Sequence, residues 1–137
     1  MSENEAVMRR GFAAFSRGDW DACLADMEPE IEWHVTFALP DLPPDQKVFR
    51  GHDEVRMLFD NIAEAWEGLT LEMEEVLFDD DDVLITRARF AGRGRGSGIE
   101  VDRRLFYVQE LRDHKLLRQR PFETESEAFV AAGVERG

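Results

Sequence analysis

The sequence predicts an α+β domain, with helices first and a run of antiparallel strands after them. Three observations carry this. Apolar residues recur at helical spacing through the first half of the chain and alternate from about residue 70 onward. Gly- and Asp-rich turn signals punctuate the second half at hairpin spacing. Capping boxes stand near both ends, Ser2 with Glu5 and Thr124 with Glu127. Helical and strand segments separated in this way pack as helices on one face of a curved sheet. No repeat interrupts the 137 residues, and a single domain over 1–137 is the expectation.

Each element has its own local reason. After Ser2, the residues Val7, Met8, Phe12 and Phe15 form one helical stripe that stops at Arg17-Gly18. Asp19 caps a second, short helix with Trp20, Cys23, Leu24 and Met27, which Pro29 closes. Residues 30–37 alternate as a strand with Ile31, Trp33, Val35 and Phe37 on one face. A proline-rich loop follows. Gly51 and Asp53 open a third helix with Val55, Leu58, Phe59, Ile62 and Trp66 on its stripe, ended by Gly68. Strands are then expected over 70–77, 83–91, 99–111 and 115–122, and a short helix closed by Gly133 finishes the chain.

Composition narrows the function classes. The hydrophobic fraction of 43% is enough for a core. No apolar run approaches the ~18 residues of a membrane helix, and the acidic start lacks a signal-peptide pattern, so a cytoplasmic home is expected. The lone Cys23 forms no intrachain disulfide and reads as a small buried hydrophobe. The net charge of −13 argues against nucleic acid as a partner. That charge is sorted by position. Residues 1–86 hold 6 basic and 22 acidic side chains, whereas residues 87–120 hold 10 basic and 4 acidic.

A set of short motifs, in order, gives a resemblance. They are Phe12-Ala13-Ala14-Phe15-Ser16-Arg17-Gly18-Asp19-Trp20, Ile31-Glu32-Trp33, Phe49-Arg50-Gly51-His52, Gly94-Arg95-Gly96-Ser97-Gly98, Leu111-Arg112-Asp113-His114-Lys115 and Glu127-Ala128-Phe129-Val130-Ala131-Ala132-Gly133. Nearly end to end, the chain resembles the SnoaL-like group of the nuclear transport factor 2-like superfamily, which includes ketosteroid isomerases and polyketide cyclases. The resemblance implies a cone-shaped roll of the cystatin-like kind, a pocket between helices and concave sheet face, and a homodimer through the outer face. It also exposes departures. The isomerase positions for the tyrosine donor, the carboxylate base and the protonated acid fall on Phe12, Trp33 and Tyr107. The last-strand region where the cyclases carry an acid reads Gln119-Arg120-Pro121-Phe122, with Glu123 just beyond.

The residues themselves leave alternatives open. The expected pocket is lined by Phe12, Phe15, Trp33, Leu58, Ile62, Trp66, Tyr107 and Gln109. Trp33 reads as a core aromatic or as a wall that stacks on a flat ligand. The Tyr107 hydroxyl either bonds Gln109, two residues along the same face, or meets a ligand oxygen. Arg87 and Arg103 bind an anion if one hairpin register sets them opposite each other. A register shifted by one sets Arg87 against Asp102 and Arg89 against Glu100, a solvated ion-pair ladder. The glycine-rich 92–98 stretch reads as a hairpin tip and residues 37–48 as a connection or an apolar lid. His34, Tyr107 and Glu123 are the available acid–base groups, His34 only if curvature turns it inward. His34, His52 and His114 have no metal spacing, and neither metal nor cofactor is expected. The expected function is a pocket for a small, mostly apolar ligand in a non-catalytic binding or dimerisation module. The alternative is a metal-free isomerase or cyclase working by acid–base catalysis.

Overall fold

The computed structural model describes residues 1–36 and 45–135. The elements run α1 (Glu3–Ser16), α2 (Trp20–Ala25), β1 (Met27–His34), β2 (Val48–Arg50), α3 (Gly51–Ala65), β3 (Trp66–Asp79), β4 (Val83–Gly94), β5 (Glu100–Arg112), β6 (Lys115–Phe122) and α4 (Glu125–Ala132). The caps act as their sequence signals imply. Ser2 accepts from the Glu5 N–H, Asp19 from Ala22 and Thr124 from Glu127. Gly133, at φ 72°, ends α4 in the left-handed region that glycine adopts freely.

The six strands form one open sheet in the order β2-β1-β6-β5-β4-β3. After β2, α3 carries the chain across to the far edge, and β3 to β6 return as a meander. That route brings β6 alongside β1 in parallel, so the sheet is not wholly antiparallel as the strand run predicted. Three register breaks in the β3–β4 ladder add curvature. The turn between β5 and β6 is two residues long, with Asp113 at φ 52° and His114 at φ 61°.

Several boundaries differ from the sequence expectation. Pro29 does not close α2; it lies inside β1, where the β1–β6 register breaks between Met27 and Glu32 and no ladder bond is lost. Trp66 is the first residue of β3 rather than part of the α3 stripe, and Gly68, at φ 63°, sits in a bulge within that strand. Strand β2 follows a loop that gave no period-2 signal. Four residues of the suggested lid are described only as 45–48; Phe37, Leu39, Leu42 and the three prolines lie outside the described residues.

The core divides between the two sheet faces. The helices α1, α2 and α3 cover the concave face, where Phe59, Leu58, Val55 and Ile31 are fully buried. On the convex face α4 lays Ala128 and Phe129 over Ile85 and Val108. No described helix is long and apolar enough to cross a membrane.

Candidate functional site

The concave face holds a row of aromatic side chains. Period-2 alternation points Trp33 of β1 and Tyr107 of β5 inward, and the α1 stripe brings Phe12 and Phe15 down onto them. Phe12 meets Tyr107 edge to face at 5.9 Å between centroids. Phe59 of α3 stands edge-on to Phe15 at 5.3 Å and to Trp33 at 5.1 Å.

Two small cavities remain in this packing. One, of about 20 Å³, is walled by Phe12, Phe15, Met27, Cys23, Trp33 and Phe59. The other, of about 30 Å³, is lined by Phe15, Trp33, His34, Ile62, Phe90, Leu105 and Tyr107, among others. Each has room for about one or two waters. Phe15 and Trp33 are walls of both, so these two rings form a partition inside one aromatic hollow.

The structure sorts the expected pocket residues. Phe12, Phe15, Trp33, Ile62 and Tyr107 line the cavities. Leu58 is fully buried in the core and lines neither. Trp66, displaced onto β3, packs edge to face on Phe90 at 6.3 Å. Gln109 is fully buried but does not serve Tyr107. Its Nε2 donates to Thr86 Oγ1 at 3.0 Å and to Gln119 Oε1 at 3.4 Å, and Thr86 donates to Gln109 Oε1 at 3.2 Å. The Tyr107 hydroxyl therefore has no hydrogen-bond partner among the described residues. Burial pushes its pKa up, which keeps it a neutral donor.

Neither proposed register of the β4–β5 hairpin forms. Arg87 sits opposite Phe106, Arg89 opposite Arg104 and Phe90 opposite Arg103. Arg87 and Arg103 thus fall on opposite sheet faces and make no anion-binding pair. Arg87 reaches Glu75 at 2.9 Å, Arg89 grips Asp102 at 2.7 Å and 2.8 Å, and Arg104 meets Glu74 at 3.0 Å. The positive segment is matched by acids of β3 and β5. Arg103 instead bonds Glu123 at 2.6 Å, an exposed pair at the end of the concave face.

Of the acid–base candidates, His34 and Tyr107 line the same cavity and Glu123 does not. His34 is among the residues that line the larger cavity, and its Nε2 meets Glu32 Oε1 at 3.3 Å. Burial lowers its pKa, opposed by Glu32 and reinforced by Arg118 and Arg120. Glu123 is spent on Arg103. Cys23 is buried, its Sγ donates to the Gly11 carbonyl at 3.5 Å, and its pKa is raised to about 12, so the thiol is inert. His52 bonds the Met27 carbonyl at 3.0 Å. Among the described residues no three His, Cys, Asp or Glu side chains converge in a way that would hold a metal ion.

Sequence reasoning missed Thr86, Gln119 and Phe59. Phe59 was on the α3 stripe and differed from its neighbours by no signal. Gln119 gave no signal of its own, because only the β5–β6 register sets it opposite Gln109.

Comparison with known proteins gives a consistent picture. The model of the SnoaL-like domain matches residues 8–119. No curated protein sequence matches the chain. A nuclear transport factor 2-like protein from Burkholderia thailandensis is 26% identical, with 98% of this chain and 100% of that chain covered and a TM-score of 0.73. TerC, co-crystallised with polyporic acid, is 18% identical over 95% of this chain and 97% of its own, with a TM-score of 0.75. A Mycobacterium tuberculosis protein in complex with estradiol-17β-hemisuccinate is 16% identical over 92% of this chain and 97% of its own, also at 0.75.

Proposed function

The chain belongs to the SnoaL-like domain family, and from that footing we propose that it is a non-catalytic binding module for a small, mostly apolar organic ligand. The ligand sits between α1, α3 and the concave sheet face. Tyr107 carries this reading. Its ring is 6% exposed, its hydroxyl lacks a partner among the described residues, and it walls the larger interior cavity. The hydroxyl offers an O–H donor to a ligand oxygen.

The remaining geometry supports binding over catalysis. The larger cavity has no carboxylate among its wall residues, and the one carboxylate beside the smaller, Asp26, is held by Arg10 at 2.8 Å and 2.9 Å. A proton shuttle needs a group of shifted affinity that faces the reacting atom. His34 lines the larger cavity with its Nε2 engaged by Glu32, and Tyr107 is held neutral. Two proteins of the same fold were crystallised with small molecules, polyporic acid and estradiol-17β-hemisuccinate, which supports a small-molecule ligand for this chain. Cavities of this size admit a ring only if Trp33 turns aside and merges them.

A homodimer through the convex face belongs to the same reading. Half of that face is covered by α4 and half carries the ion-pair ladder. The dimer contact is therefore polar and sensitive to salt.

A thermal-shift panel of small aromatic, steroid-like and carboxylate compounds tests the proposal. Binding to the folded state alone must raise the melting temperature. The expected result is a rise of several degrees with apolar ring compounds. No stabilisation by any class contradicts the proposal.

A further inference from the structure

Gln119 is fully buried, and its Nε2 has no hydrogen-bond partner among the described residues. It sits on the inward face of β6, beside Trp33 of β1 and Gln109 of β5 by strand register. Tyr107 is its diagonal neighbour on the same face, with Cα atoms about 7–8 Å apart. Trp33 and Tyr107 wall the interior cavities, and Trp33 is part of the partition between them. Gln119 thus lies under the partition rather than in either cavity.

Its amide is held by a relay. Thr86 and Gln109 bond each other, and the second Gln109 N–H is given to Gln119 Oε1 at 3.4 Å. With the oxygen engaged, the nitrogen is the end left to recognise something. The buried Gln119 amide, unpaired among the described residues, thus shares one face of an apolar hollow with the Tyr107 hydroxyl. The charge of Arg103, the cation whose field reaches Tyr107, is offset by its pairing with Glu123 at the exposed edge, so a charged ligand group gains little from it. Burying an uncompensated anion costs far more than burying a neutral acceptor.

We infer that Gln119 is the specificity-determining residue of the hollow and selects ligands with an uncharged acceptor oxygen, such as a ketone, over anionic and purely hydrocarbon ones. The inference rests on the binding reading above. Displacement of Trp33 by the ligand uncovers the amide, and the Thr86–Gln109 relay holds it as a donor.

Calorimetric titration of the full chain with acetophenone, ethylbenzene and benzoate separates the possibilities. Acetophenone is expected to bind about tenfold more tightly than ethylbenzene, the worth of roughly one buried hydrogen bond. Benzoate is expected not to bind. Gln119→Leu removes the acetophenone preference and keeps ethylbenzene binding; Gln119→Met serves if the leucine variant fails to fold. Thr86→Val weakens the preference without removing the amide. Equal binding of acetophenone and ethylbenzene to the wild type overturns the inference and leaves the hollow standing, as does a preference that survives in Gln119→Leu. If no aromatic probe binds, the hollow falls and the inference falls with it.

Discussion

At the scale of single residues, Tyr107 separates a structural role from a ligand role. A hydroxyl that holds the core together would cost about 1 kcal/mol when removed. One that waits for a ligand costs nothing to lose. Tyr107→Phe is therefore expected to leave the melting temperature of the ligand-free protein unchanged or slightly raised; a drop of several degrees would assign the hydroxyl to the fold. His34 sets a pH dependence. Burial holds its imidazole below the ordinary value of 6.5, so the folded chain binds fewer protons there than the unfolded chain. The stability that comes from the neutral ring is complete above pH 6.5 and is lost as pH falls through the lowered folded value. Denaturant titrations of the wild type and His34→Gln between pH 7 and about 5 should show a shallower loss in the variant; parallel slopes would contradict this. That Gln109 does not serve Tyr107 was not readable from the sequence. Gln109 lies two residues away on the same face, but strand pairing places Thr86 and Gln119 within its reach, and only the register decides between them.

At the scale of elements, Asn4 ties the first helix to two turns. Its Nδ2 donates to the Asp81 carbonyl at 2.8 Å, and its Oδ1 accepts from His114 Nδ1 at 2.9 Å. One side chain, 3% exposed, thus joins the start of α1 to the β3–β4 and β5–β6 turns. Asn4→Ala is expected to cost about 1–3 kcal/mol in a urea melt, since buried partners lose their bonds; a cost below about 0.5 kcal/mol would refute the clasp. Thr124→Ala removes the cap of α4, which packs only on the convex face. The expected loss is about 1 kcal/mol, read as faster amide exchange within α4 and not elsewhere. Uniform acceleration across the sheet would show that α4 is not a separate unit. Helix starts were legible because capping residues act within one turn of chain. Strand limits were not: Pro29 and Gly68 normally terminate elements, yet here both sit at irregularities within strands, and tertiary pairing decides that.

At the scale of the whole molecule, the α+β order, the helical layer and most strands followed from periodicity, while the parallel β1–β6 pairing did not, since it joins segments over eighty residues apart. The hollow was legible as a set of inward aromatics. Its division into two cavities was not, because the ring positions depend on packing between α1, α3 and β1. The convex face bears on assembly. Sedimentation at low and at about 1 M salt should show a dimer that dissociates as salt rises, because exposed ion pairs are screened. A dimer indifferent to salt would place the contact elsewhere. The central claim is that Trp33 and Phe15 partition a hollow that opens to a ring-sized ligand. The most direct test is a crystal structure of the protein soaked with 4-bromoacetophenone, in which the bromine marks the ring. The account predicts the ring between Phe15, Ile62 and Tyr107, with Trp33 turned from its position against Phe59. Crystals in which Trp33 is unmoved and the interior holds only water would contradict it.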